Sequence, residues 1–181
     1  MKEIVLKNGE RIVIRKAVQS DAKDIIDYIH KIAGQSDNLT FGEGEFNVTI
    51  SQEEDMIQKV SEADNKLFLL VLKDKEIIGN LSFMGGNRPR TRHMGDLGMT
   101  VLKSYWGQGI GGALLEYLIE WSKNNPIIRK INLQVKVDNG NAIKLYEKFN
   151  FKNEGRIERF FLIDGEFFDA YSMGLLIDKK M

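Results

Sequence analysis

The sequence predicts a mixed α/β chain of the α+β type, with about seven strands and four helices in one domain spanning 1–181. Three observations carry this. Apolar segments flank short polar turns at Lys73-Asp74-Lys75 and at Asp164-Gly165-Glu166, which is a hairpin pattern. Between the hairpins lie segments whose apolar residues recur at helical spacing. One strand also runs directly into a Gly-rich turn over 107–112 and then into a strongly amphipathic helix.

Taken in order, Ile12, Ile14 and Val18 alternate as a strand, and Ser20 stands where a helix N-cap belongs. Ala22, Ile25, Ile26, Ile29 and Ala33 form the apolar stripe of a first helix closed by Gly34. Residues 35–50 are polar and Gly-containing, a loop before a second helix that Ser51-Gln52-Glu53-Glu54 opens as a capping box. Met56, Ile57 and Val60 are its buried face. Strands follow over Leu67–Leu72, Ile77–Phe83 and roughly His93–Leu102, the last two separated by a loop with Arg88, Arg90 and Arg92. Ile110, Leu114, Tyr117, Leu118 and Trp121 line the third helix, which ends at Lys123-Asn124-Asn125-Pro126. Ile128–Val137 alternates as a strand, Ala142–Phe149 is a short helix, and Arg156–Ile163 with Phe168–Leu176 form the last hairpin.

Composition narrows the function classes. The chain has 181 residues, 43% of them hydrophobic, enough for a real core. Its 26 basic and 26 acidic side chains cancel, which removes the general electrostatic attraction to nucleic acid or to an anionic membrane. With no cysteine there is no disulfide framework, no thiolate metal site and no cysteine nucleophile, and no metal is expected. No apolar run approaches a membrane span and Met1-Lys2-Glu3-Ile4 does not open a signal peptide, so the expectation is a cytoplasmic protein.

The strongest chemical signal is Trp106-Gly107-Gln108-Gly109-Ile110-Gly111-Gly112, because it joins a strand to a helix. The first turn of a helix offers unpaired N–H groups and the positive end of the macrodipole, and glycine lets an anionic group approach them. A Walker A loop needs Gly-Lys-Ser/Thr where this chain has Gly111-Gly112-Ala113. A Rossmann turn would follow the first strand of a βαβ series, whereas several strands precede this one. Tight strand–helix packing is the competing reason for such glycines. Four of them within six residues favour a pyrophosphate cradle.

These residues resemble the GNAT superfamily of N-acetyltransferases. Trp106 to Gly111 match its Gln/Arg-x-x-Gly-x-Gly/Ala signature, with Trp106 in place of the first Gln or Arg. Asn139, Ala142, Leu145, Tyr146 and Phe151 match a second signature, Asn-x-x-Ala-x-x-Leu-Tyr-x-x-x-Gly-Phe, with Asn150 in place of glycine. Asn tolerates the left-handed conformation that glycine supplies at a helix C-terminus. The resemblance implies a mostly antiparallel sheet that splays between its fourth and fifth strands. There acetyl-CoA would bind as co-substrate and hand its acetyl group directly to an amine.

By the same resemblance, backbone N–H groups of Gln108, Gly109, Ile110, Gly111, Gly112 and Ala113 would hold the diphosphate. Main-chain groups of Met99, Thr100 and Val101 would pair with the pantetheine like an added strand. Asn139 would contact the pantetheine arm, with Asn141 and Lys144 as further candidates. Tyr146 is the expected acid toward the departing thiolate. Asp96 is the leading base, with His93 or a water relay as alternatives, and its orientation depends on whether Gly95 or Gly98 creates a bulge. Glu43 and Glu45 are candidates to attract an ammonium acceptor, with Phe41 and Phe46 as walls, while Arg88, Arg90 and Arg92 suit the 3'-phosphate or an acidic substrate. His30 reads as structural.

The expected acceptor is a primary amine of a small molecule or of a protein N-terminus. Residues 164–169 with Met173 look like members that acetylate small amines or ribosomal protein ends. A non-catalytic acyl-CoA-binding module is the alternative function, a nucleotide-binding enzyme a third, and exposed strand edges make a homodimer an expectation.

Overall fold

The computed structural model describes residues 1–178. Eight strands form a single sheet in the order β1-β2-β3-β4-β5-β6-β8-β7. They are β1 (Lys2–Val5), β2 (Arg11–Lys16), β3 (Lys66–Lys73), β4 (Glu76–Gly85), β5 (Met94–Val101), β6 (Lys130–Lys136), β7 (Lys152–Ile163) and β8 (Glu166–Leu176). The helices are α1 (Ala22–Ala33), α2 (Ile50–Glu62), α3 (Ile110–Asn124) and α4 (Gly140–Lys148). Every strand pair is antiparallel except β5 with β6.

The strand beyond the expected seven is β1, paired with β2 from Lys2↔Ile14 to Val5↔Arg11. It is short and only half-buried, so its alternation is weak. Its turn, however, carries Asn8-Gly9, a strong hairpin signal, with Gly9 at φ 86°. Two expected caps also move. Asp21, not Ser20, precedes α1, and its carboxylate accepts from Val18 N–H at 2.8 Å while pairing with Arg15. The box at α2 is Thr49 with Gln52 rather than Ser51 with Glu54: Thr49 Oγ1 accepts from Gln52 N–H at 3.3 Å and Gln52 Oε1 from Thr49 N–H at 2.9 Å. Both quartets fit the capping pattern. The earlier start puts Glu53, Ile57 and Val60 together on the buried stripe.

Helices cover both faces. On one, Tyr28 of α1 reaches Thr100 of β5 with its hydroxyl at 2.7 Å. On the other, Phe83 of β4 meets Trp121 of α3 edge-on, ring centroids 5.7 Å apart. Leu69, Leu70, Val71, Ile78 and Leu81 of the central strands are fully buried between these layers. Among the described residues no helix is long and apolar enough to cross a membrane.

Candidate functional site

The β4–β5 ladder runs without a register shift from Gly79↔Val101 to Gly85↔Gly95. No bulge therefore reverses the facing of β5, and Gly95 has a packing reason, since a Cβ there would lie 2.6 Å from the Phe83 ring. Asp96, Gly98 and Thr100 share the α1 side of the sheet, while Leu97 and Met99 share the α3 side. The parallel β5–β6 ladder covers Met94–Asp96 against Lys130–Asn132. Beyond it opens a cleft of about 2130 Å³, lined by Leu97–Val101, by Gln134–Lys136 of β6, and by the first turns of α3 and α4.

Main-chain directions on β5 follow from two bonds. Leu102 N–H donates to Ile78 C=O at 2.9 Å, so the even-numbered residues turn their peptide groups toward β4. By alternation Met99 and Val101 turn theirs toward the cleft. The Val101 carbonyl already accepts the Trp106 indole N–H at 2.7 Å. Thr100 contributes its side chain instead: Oγ1 is bonded to Tyr28 and donates to Asn80 Oδ1 at 2.8 Å. Burial pushes the Tyr28 phenol well above its ordinary pKa, so this chain stays protonated.

At the start of α3, Gly107 and Gly109 have φ of 74° and 95°, with open space where a side chain would stand. They are glycines for conformation. Gly111 is a glycine for room, because a Cβ would come 2.9 Å from Leu145 Cδ2 of α4. The first bond closing the helix runs from Ala113 N–H to Gly109 C=O at 3.1 Å, so the orphan donors are those before Ala113. Beside them Gln108 Oε1 is buried without a hydrogen-bond partner.

Helix α4 begins and ends on the cleft. Asn139 caps it by accepting from Ala142 N–H at 3.3 Å. At the other end Phe151 N–H donates to Tyr146 C=O at 3.1 Å and Asn150 N–H to Glu147 C=O at 2.9 Å, with Asn150 at φ 65°. This is a Schellman turn. Its apolar contact is Phe151 against the Tyr146 ring, centroids 5.7 Å apart. Tyr146 is buried on the cleft wall, and burial pushes its phenol up to about 12.

The profile of the Acetyltransferase (GNAT) family matches residues 33–151. The chain belongs to this family. An acetyltransferase of the GNAT family from Streptococcus pneumoniae shares 32% identity at TM-score 0.89, over 92% of this chain and 99% of that one. L-amino acid N-acetyltransferase AaaT of Escherichia coli K12 is 36% identical over 105 residues, 58% of this chain and 65% of its own length. The GNAT-superfamily phosphinothricin acetyltransferase of Sinorhizobium meliloti, solved in complex with acetyl-CoA, has TM-score 0.79 at 16% identity, over 92% of this chain and 88% of that one.

Of the residues singled out from the GNAT signatures, Met99, Thr100, Val101, Gln108 to Ala113, Asn139, Asn141 and Tyr146 all line the one cleft, as does Asp96. Lys144 is exposed and outside the lining. So is His93, whose carbonyl accepts from Arg129 N–H at 2.7 Å and fastens the β5–β6 junction. Arg92 pairs with Asp64 at 2.7 Å, and the 88–92 arginines lie off the cleft. Phe41 and Phe46 line it, but Glu43 and Glu45 do not, and Glu45 accepts from Gly42 N–H at 2.7 Å. His30 fixes this loop by bonding the Phe46 carbonyl at 2.9 Å.

Among the acids that line the cleft, Glu53 of α2 is the buried one, only 3% exposed and with Oε1 unpartnered. In the sequence it is hidden inside the Ser51-Gln52-Glu53-Glu54 capping pattern. A glutamate four residues before Ile57 on an apolar stripe was the available signal.

Proposed function

We propose that the protein is an N-acetyltransferase that moves an acetyl group from acetyl-CoA directly to a primary amine of a small molecule or of a protein N-terminus. The observation that carries this is the convergence on one cleft of the α3 donor turn, the open main-chain edge of Met99, and the Tyr146 phenol. The fit to acetyl-CoA rests on the positive-φ glycines with open space around them and on the N–H groups before Ala113, which no helix bond engages. The co-substrate supplies an activated acyl thioester. The S. meliloti enzyme's complex with acetyl-CoA supports the same cofactor here.

In this reading the N–H groups of Gln108 to Gly112 hold the diphosphate at the positive end of α3. Met99 offers main-chain groups to the pantetheine arm, and the Asn139 amide lies alongside. An acceptor alkylamine is mostly ammonium at neutral pH, its pKa being about 10, so a proton must leave before nitrogen attacks. Asp96 faces the α1 side of the cleft, where it takes that proton directly or through water. Tyr146, protonated at every physiological pH, donates a hydrogen bond where negative charge develops on sulfur. Since its phenol is a weaker acid than a thiol, whose pKa is about 8.5, that stabilisation precedes any net proton transfer.

The test is thiol release from acetyl-CoA across a panel of amines. Tyr146→Phe is expected to lower kcat about a hundredfold while acetyl-CoA affinity, set by the α3 turn, holds. Tight acetyl-CoA binding with no thiol release from any amine would favour a non-catalytic acyl-CoA-binding module.

A further inference from the structure

Glu53 is the one acid among the described residues that is buried with a carboxylate oxygen lacking any partner. It lines the cleft, as do Phe41, Phe46, Met56 and Phe68, and Phe68 stands in register with Ser82 and Gly98 on the face of the sheet that carries Asp96. A carboxylate out of water without a donor is destabilising in the folded chain. Burial accordingly raises the Glu53 pKa. A group held at that cost on the wall of a binding cleft marks a place where a ligand completes the hydrogen bonding.

We infer that Glu53 receives a second cationic group of the acceptor, so that the preferred substrates are diamines whose two nitrogens are joined by an apolar chain. This rests on the acetyl-transfer reading, in which one nitrogen reaches the thioester beside Asp96 and Tyr146. The other, as an ammonium, then lies against Glu53, and the aromatic and Met56 side chains cover the methylene stem between them. The same geometry disfavours acceptors that carry a carboxylate at that end, because two anions would share one apolar wall. Of the loop acids, Glu45 is turned onto its own backbone and Glu43 lies away from the cleft, while Asp37 lines it but is exposed to water, where its pull on an ammonium is screened.

The full-length protein is assayed with putrescine, n-butylamine and gamma-aminobutyrate, which share a four-carbon chain and differ in the charge at the far end. Two readouts are taken: thiol release from acetyl-CoA, and calorimetric binding of each amine to the CoA-saturated protein. Putrescine is expected to bind and to react at least about tenfold better than the other two, and Glu53→Gln, isosteric and neutral, to erase most of that ratio. Acetyl-CoA binding by Glu53→Gln shows that it is folded. Should the variant not fold, the wild-type ranking decides alone. Equal handling of the three amines by the wild type, or a preference for putrescine that survives Glu53→Gln, overturns the inference while leaving acetyl transfer standing. Glu53-dependent putrescine binding with no thiol release from any amine overturns the transfer reading and leaves this inference standing.

Discussion

Asn150 decides how α4 stops, and through that turn where Tyr146 is held. Its φ of 65° is left-handed, and the two N–H groups at the turn reach back to Tyr146 and Glu147 only in that conformation. For a residue with a Cβ this region costs about 1–2 kcal/mol, of which asparagine recovers part through local hydrogen bonding. Alanine recovers none, so Asn150→Ala should lose about 1 kcal/mol. Valine, branched at Cβ, should lose about 2 kcal/mol, and glycine should at least match the wild type. In a chain of 181 residues each kcal/mol moves Tm by about 2–4 °C. Calorimetric melting of the three variants gives the order Gly, Asn, Ala, Val from most to least stable. Because Phe151 packs on the Tyr146 ring from the residue after the turn, kcat for thiol release should follow the same order at a temperature where all are folded. An Asn150→Ala protein melting at or above the wild type, or a Val variant no worse than Ala, would refute the assignment of a strained left-handed cap.

Gly109→Ala and Gly111→Ala separate conformation from room in the α3 turn. The first is forced to φ 95° with nothing to clash against, and should cost about 1–2 kcal/mol and weaken acetyl-CoA binding by about tenfold. The second meets only the flexible end of Leu145 at 2.9 Å and should cost less, about 1 kcal/mol. Calorimetric titration with acetyl-CoA beside melting curves distinguishes them, and a reversed order would count against the account of the turn. Asp21 predicts an acid limb in stability. Burial raises its pKa, but hydrogen bonds from Arg15 and from Val18 N–H outweigh that, and the net value lies below the ordinary one. Its contribution is therefore whole above the unfolded value of about 3.9 and is lost as pH falls through the lowered folded value. Asp21→Asn should be less stable than wild type at neutral pH, with the difference narrowing in acid. A gap that stays constant down to pH about 2 would contradict it.

Long periodic elements were legible because one pattern specified each. The stripe of α3 and the runs of β3 and β4 repeat often enough that chance alternation cannot imitate them. β1 was lost for the opposite reason: four half-exposed residues carry almost no alternation, and only the Asn8-Gly9 turn betrays them. The α2 cap failed through degeneracy, since Thr49-x-x-Gln52 and Ser51-x-x-Glu54 both satisfy the motif and only tertiary burial of Glu53 and Ile57 chooses. That local ambiguity hid Glu53, which a sequence places on a helix but not against a cleft. Trp106 shows a further gap. Its indole occupies the Val101 carbonyl at 2.7 Å, a contact across five residues that no motif encodes.

The pleat of β5 sorts its groups into three directions, so that in the proposed reaction co-substrate and acceptor need not compete for the same side chains. Residues two apart on a strand share a face, so an unbroken register from Gly95 to Val101 assigns Met99 to the α3 layer and Asp96 with Thr100 to the α1 layer. The peptide groups lie in the plane between, where the Met99 edge is open past Asp96 because the parallel ladder to β6 covers only three positions. One strand thus turns main chain to the open edge, apolar side chains to the α3 layer and polar side chains to the α1 layer, the three directions that the proposed reaction assigns to the co-substrate arm, the diphosphate helix and the amine. A single-residue slip of β5 would exchange the last two sets. The Tyr28–Thr100–Asn80 chain ties that register to α1 and β4 through bonds of 2.7 and 2.8 Å. Its three side chains lie on the side of the sheet that Asp96 faces, so the hydrogen bonds that fix the register of β5 also build that side of the cleft.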